Sequence, residues 1–371
     1  MSHLRSTAGA GFPALLLRGP ALLLGLGLLM LSGCAAPQPL LKRANATGLQ
    51  WPDAPLQAKI EWVKSVSTPE DAGIDKKFWK KALEIFTGAE VRSIAKPYGV
   101  FYDEAGRLFI ADTGLGVVHL MDTRQGLYFR IMAPEGRPFR SPIALAEDEQ
   151  GGLYITDSTS GTVYRYDLAL RTVTPFLREL DRPTGMAYNW VNKLLYISET
   201  GLGRIIAVDG KGAQKYSISA THAGEGFFNR PTDLAVDHKG QLFVNDPLNY
   251  KVMIFTPEGL LVSKFGEMGD SQGELDKPKG IAVDMDGNIY VCDAMLDSVQ
   301  LFDDSGHFLF SFGSNGTGDG AFWMPTGIHI AGDYIFVSDT YNHRVQIFRF
   351  LRGAALDEDN GVKPQQSNEV K

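Results

Sequence analysis

The chain has 371 residues, 44% of them hydrophobic, enough material for the core of one large or two ordinary domains. Residues 1–33 contain Arg5 and Arg18 and no acid. Without them 34 basic face 43 acidic side chains, a net charge of −9 that repels phosphate backbones and excludes nucleic acid as a partner. Two cysteines, Cys34 and Cys292, exclude a disulfide framework, and 41 glycines point to many short strands and tight turns.

Arg5 and Arg18 form a positive leader around the start of the apolar run Ala21 to Leu31. Its eleven residues are too few to cross a bilayer as a helix, which takes about 20, and have the length of a secretory-signal core. The run ends in Leu31-Ser32-Gly33-Cys34, which resembles the lipobox of bacterial lipoproteins. The resemblance implies that residues 1–33 are a signal peptide and that the Cys34 thiol receives a diacylglycerol. It also implies cleavage before Cys34 and acylation of the new amino terminus. Several acyl chains hold a protein firmly in a bilayer where one would be marginal. Ala35, rather than Asp, follows the cysteine, which implies an outer-membrane anchor facing the periplasm.

Residues 34–56, with Pro37, Pro39, Pro52 and Pro55 and little periodicity, read as an extended tether. Lys59 to Val66 alternates as a strand with no sequence neighbour to pair with. Phe78, Trp79, Ala82, Leu83 and Phe86 recur at helical spacing, with Gly88 as C-cap, so a short helical insert is expected at about 75–87. It is expected to cover one end of the domain, a basic helix lying on the membrane being the alternative.

From about residue 93 to 350 one pattern recurs six times, opening on Pro97, Pro142, Pro183, Pro231, Pro278 and Pro325, which are 45, 41, 48, 47 and 47 residues apart. Each proline starts a strand such as Lys277-Pro-Lys-Gly-Ile-Ala-Val-Asp284. A tight turn leads to a second strand ending in an acid, such as Ile289-Tyr-Val-Cys-Asp293. A third follows, as in Arg344-Val-Gln-Ile-Phe348, and a fourth closes most repeats, as in Leu260-Leu-Val-Ser-Lys-Phe265. Four short strands cannot bury both faces of their sheet alone, but radial stacking of such sheets does. The pattern resembles the NHL repeat family in all six copies, including the glycine-rich loop Phe312 to Phe322. The resemblance implies an all-β fold, a six-bladed β-propeller of four-stranded antiparallel blades over residues 57–351. Three strands follow Pro325 before the polar tail 352–371, which reads as disordered. The strand at 59–66 is therefore expected to complete the last blade and close the ring.

The second strands end in Asp112, Asp157, Glu199, Asp246, Asp293 and Asp339. A ring of carboxylates suggests a metal site, but recurrence in every repeat favours a turn role, each acid accepting backbone N–H bonds. The basic residues before four prolines, Lys96, Arg182, Arg230 and Lys277, are expected to pair with these acids. Departures from the repeat are more telling. First strands mostly carry Gly or Ala two and four places after the proline, as packing near an axis demands, and Phe101, Asp233 and His329 break that rule. Tyr98 and Lys279 break a Thr/Ile preference immediately after the proline. With Arg182, Arg230, Tyr250, Phe322, Trp323 and Tyr341, these residues are expected to form a mouth where the innermost strands begin, suited to a protein, peptide or envelope ligand.

Two enzyme families use similar propellers. The amidating-lyase group gathers several histidines around a metal near the axis, whereas here His329 alone among the mature chain's histidines falls on an innermost strand. The gluconolactonase-like group's Glu, Asn and Asp set has no counterpart. The loops at 266–275 and 313–320 lack calcium-loop spacing. No catalytic residue, metal or cofactor is expected, and a non-catalytic, membrane-anchored binding scaffold is the leading reading. A metal-dependent hydrolase or lyase working in the central channel is the alternative. Cys292 is expected to be a small buried hydrophobe.

Overall fold

Proline suits the first residue of a strand, because its fixed φ is extended enough and no ladder donor is lost there. In the computed structural model, which describes residues 39–41, 48–74, 94–219 and 228–351, five of the six prolines open an innermost strand. These are Pro97–Tyr102, Pro142–Glu147, Pro183–Asn189, Pro278–Val283 and Pro325–Ala331. Pro231 instead precedes a shortened one, Leu234–Val236. From each the chain turns back into second, third and fourth strands, every one antiparallel to the strand before it. The result is six sheets, each a propeller blade.

The last blade closes the ring as expected. Ile60–Val66 pairs antiparallel with Arg344–Phe350, Ile60 opposite Phe350 and Val66 opposite Val345. The Trp62 indole donates to Gln346 Oε1 at 2.9 Å within the same blade. Part of the expected tether is not free: Gln50–Trp51 adds a short fifth strand outside Ile60–Val66. The reason is burial, since the Trp51 ring packs edge-on to Phe348 with centroids 5.8 Å apart, and Leu40 upstream is fully buried. The signal peptide with Cys34, the helical insert at 75–87 and the tail at 352–371 lie outside the described residues. No helix among the described residues is long and apolar enough to cross a membrane.

The core is divided among the blade interfaces, six apolar clusters in all. Tyr196, Ile205, Met253 and Phe255 fill the space between blades three and four, and Phe312, Phe322 and Phe348 that between five and six. Each such side chain, fully buried, contributes about 1.5–3 kcal/mol. Near the axis the blades approach backbone to backbone. A methyl group on Gly99, Gly185, Gly280 or Gly327 would collide with the carbonyl of Ile143, Thr232, Thr326 or Tyr98 on the neighbouring blade. Glycine recurs there because nothing larger fits. Cys292 is buried, as its strand position predicts.

Candidate functional site

The innermost strands enclose a cavity of about 1110 Å³ along the propeller axis. Its lining starts immediately after each of the six prolines, at Tyr98, Ile143, Thr184, Thr232, Lys279 and Thr326, and ends at turn residues such as Glu104, Glu149 and Trp190. The cavity is a funnel. Its narrow floor lies at the glycine ring, and it opens where the innermost strands end. The expected mouth was at the opposite end, where those strands begin; the prolines and the residues before them are not part of the cavity lining.

Five of the eleven mouth candidates line the funnel: Tyr98, Phe101, Asp233, Lys279 and His329. The other six do not. Arg182 and Arg230 are exposed on the outer side of the floor, and Arg230 Nη1 donates to the Gly201 carbonyl at 3.3 Å. Trp323 and Tyr341 pack against each other on that same side, ring centroids 5.5 Å apart, and both are exposed. Tyr250 packs into the interface between blades four and five. Phe322 is fully buried beside Phe312 and Phe348 and presents no ring to a ligand.

Burial sets the chemistry of the funnel. It pushes the Asp233 carboxyl up to about 7, although Oδ2 accepts the Ile281 N–H at 3.1 Å. Burial, and then the charge of Asp233, push the Tyr98 phenol up to about 12. Burial lowers the Lys279 ammonium, with Lys277 adding to the effect, and Lys279 has no acidic partner among the described residues. His329 is held down at about 4 and is therefore neutral at pH 7. Its Nε2 lies 3.0 Å from the Tyr102 carbonyl, which can only accept, so the proton sits on Nε2 and Nδ1 is left as an acceptor. The His329 ring lies 4.5 Å from that of Phe101, giving one wall an aromatic surface. Two buried oxygens of blade four, Thr232 Oγ1 and Asn245 Oδ1, have no partner among the described residues.

The second-strand acids act on turns, as their recurrence predicts. Asp293 accepts N–H bonds from Asp276, Lys277, Met295 and Leu296, tying the loop before its blade to the turn beyond it. Asp157 receives Arg140, Ser141 and Ser160 in the same way. Burial alone would raise Asp112, but hydrogen bonds from His119, Ala95 and Lys96 outweigh it and hold the carboxyl at about 2. The expected ion pairs with the basic residues before the prolines do not form among the described residues. Lys96 and Lys277 contribute backbone N–H groups, and their side chains point elsewhere. Among the described residues no group of three or more His, Cys, Asp or Glu stands close enough to hold a metal ion.

Three funnel residues escaped the sequence reading. Glu147 stands five places after Pro142, where other blades have Tyr102, Tyr188, Val236, Val283 and Ile330, and a charge at that apolar position was the overlooked signal. Burial first, then Asp103, push its carboxyl up to about 7, opposed by Arg107, whose Nη2 is 3.4 Å from Oε1. Tyr188 and the exposed Trp190 meet edge to face at 5.1 Å on the rim.

The NHL repeat family matches residues 322–348, the loop and first strands of the last blade. No curated protein matches the chain. Among solved structures it is similar to the virginiamycin B lyase of Staphylococcus aureus, with a TM-score of 0.53 and 13% identity over 69% of this chain and 96% of that one. It is also similar to an auxiliary nutrient binding protein from Bacteroides thetaiotaomicron, with a TM-score of 0.57 and 11% identity over 69% of each chain. A gluconolactonase from Xanthomonas campestris is alike at 0.53 and 13% identity, over 69% of this chain and 86% of that one. Identities this low establish the fold and leave activity to the site itself. With six antiparallel blades in a ring and the match confined to the last of them, the chain is a six-bladed β-propeller that carries an NHL repeat at residues 322–348.

Proposed function

We propose that the protein is an envelope lipoprotein, acylated at Cys34, whose axial funnel binds a small or peptide ligand without transforming it. The observation that carries the reading is the funnel floor. Asp233, Lys279, Tyr98 and His329 are desolvated polar groups in a largely preformed apolar cavity, an arrangement that orients a ligand. Chemistry is less well served. His329 spends its proton on a backbone carbonyl, and the other funnel imidazole, His238, is exposed at the rim. A nutrient binding protein with the same fold is consistent with such a role, while the similar lyase and lactonase keep the metal-dependent alternative open to test.

Native mass spectrometry of the protein extracted from its own envelope tests the funnel. A bound small molecule or peptide is expected, and it should be lost in both Asp233→Asn and Lys279→Met. A ligand retained by both variants would remove the funnel floor from the site. Stoichiometric zinc or calcium in the purified protein would favour the enzyme. The anchor is tested separately, by the mass of the mature amino terminus, which should be an acylated Cys34.

A further inference from the structure

The side of the propeller below the funnel floor carries the turns between second and third strands, and these turns expose apolar tips. Leu202 is 55% exposed, Leu248 54% and Met295 55%; Tyr341 and Trp323 add an aromatic pair. Beside the first prolines, the same side exposes Lys96, Arg140, Arg182, Arg230 and Lys277, one from each of five blades. The second-strand acids between them are buried and engaged with backbone N–H groups. Further acids of this side lie on the connections coming in from the outer strands, Glu267, Asp270 and Asp319 among them, and Asp181 and Asp276 stand directly beside Arg182 and Lys277. Apolar exposure alone does not single out this side, because Leu170, Trp190 and Met285 are exposed at the funnel mouth. Charge does not either, because the turns around the mouth mix exposed Glu104, Glu149, Asp286 and Asp304 with exposed Arg124, Arg171, Lys193, Lys211 and Lys239.

The course of the chain singles out the floor side. Ile60–Val66 runs toward the floor side, so the antiparallel Gln50–Trp51, followed back through Leu49, also leads there. Leu40 is buried in one cluster with Val66, Ala72, Ile74 and Ile94, the residues that follow the closing strand on that side. Cys34 is six residues before Leu40, at most about 22 Å of chain away.

We infer that this face lies on the phospholipid bilayer. Trp323, Tyr341, Leu202, Leu248 and Met295 enter the headgroup region and the ring of Lys and Arg meets lipid phosphates, so the funnel opens away from the membrane. Tryptophan, tyrosine and long cationic side chains are the residues that settle at such an interface. A tether this short keeps the face at high effective concentration over the lipid, so weak contacts suffice. The inference rests on the acylation of Cys34.

The test uses the full acylated chain in vesicles of phosphatidylethanolamine and phosphatidylglycerol brominated on their acyl chains, with Trp79→Phe in every variant. Flotation with the vesicles reads the anchor, and bromine quenching of tryptophan emission reads the face. Quenching is expected in the parent, lost in Trp323→Phe and kept in Trp190→Phe. Leu202→Glu with Met295→Glu should still float but be quenched less. A protein that fails to float disproves the anchor. One that floats with Trp323 unquenched, or with the quenching lost in Trp190→Phe, overturns the docked face and leaves the anchor standing.

Discussion

Asp233 and His329 line one cavity and titrate in opposite senses, a pairing with measurable consequences. A carboxyl held at about 7 keeps its proton in the folded chain over a range where the unfolded chain, near 3.8, has released it. Stability from this group is therefore lost as pH rises from about 4 to 7. His329, held at about 4 against an unfolded value of 6.5, does the reverse: over about pH 4 to 6.5 the unfolded chain binds the proton, and stability rises with pH. The two trends oppose each other in the parent and separate in single variants. Urea unfolding of Asp233→Asn should show the variant gaining on the parent between pH 4 and 7. His329→Gln should lose ground to the parent between pH 4 and 6.5. Parallel curves for both would mean that neither group is as desolvated as the funnel makes it. That these residues line one cavity was legible from the repeat, because Asp or His at a Gly or Ala position announces itself. The burial of Phe322 was not legible. An aromatic ring before a proline has the same letters whether it faces a mouth or a neighbouring blade. Among the second-strand acids, Asp293 supports four backbone N–H groups, so Asp293→Ala should cost about 3 kcal/mol or more in thermal or urea unfolding. A cost under about 0.5 kcal/mol, the level of an ordinary surface change, would reduce the ring to decoration.

Strands were the most legible elements, since proline, apolar alternation and a terminal acid bracket each one. What the pattern could not show is how the innermost strands differ. Asp233 stands where four other blades have glycine, and its blade begins the innermost strand only at Leu234. There a carboxylate side chain, reaching across to the Ile281 N–H, replaces the close backbone approach of the other interfaces. The direction of the funnel was also hidden. It depends on which end of the strands the neighbouring carbonyls crowd, a property of blade packing and not of any single repeat. The crowding predicts a contrast between two glycines of one blade. A methyl at Gly327 meets the Tyr98 carbonyl across the blade six–blade one seam, whereas one at Gly318 meets nothing within 4 Å. Gly327→Ala should lower stability by about 2–3 kcal/mol, the cost of overpacking, and Gly318→Ala should be close to neutral. Equal melting temperatures would show that the inner ring has slack the geometry does not reveal.

The same seam decides the fate of the whole molecule, because it is where the two ends of the chain must find each other. Thr326 Oγ1 bonds the Tyr98 carbonyl at 3.1 Å and Thr340 Oγ1 the Pro97 carbonyl at 2.7 Å, a polar latch from blade six onto blade one. A related pair, Thr184 and Thr200, joins blade three to blade four, so the latch is a repeated device and not peculiar to the closure. What is peculiar to the closure is Ile60–Val66, the outer strand of a blade whose other three strands lie more than 250 residues later. Its need could be counted from the sequence, since three strands after Pro325 leave a blade one short. Its partner on the far side, Gln50–Trp51, could not, because two residues carry no period. Removing residues 57–66 would uncover the ladder edge of Arg344–Phe350 along with Val345, Ile347 and Phe348, all fully buried in the intact ring. An edge both unpaired and apolar seeks another chain. The deletion should therefore yield oligomers or aggregate in light scattering after gel filtration, with cooperative unfolding lost. A monomer that still melted in one sharp transition would mean that the ring holds without its amino-terminal strand. The seam would then be closed by side-chain packing between blades six and one, with no contribution from the strand that joins the two ends of the chain.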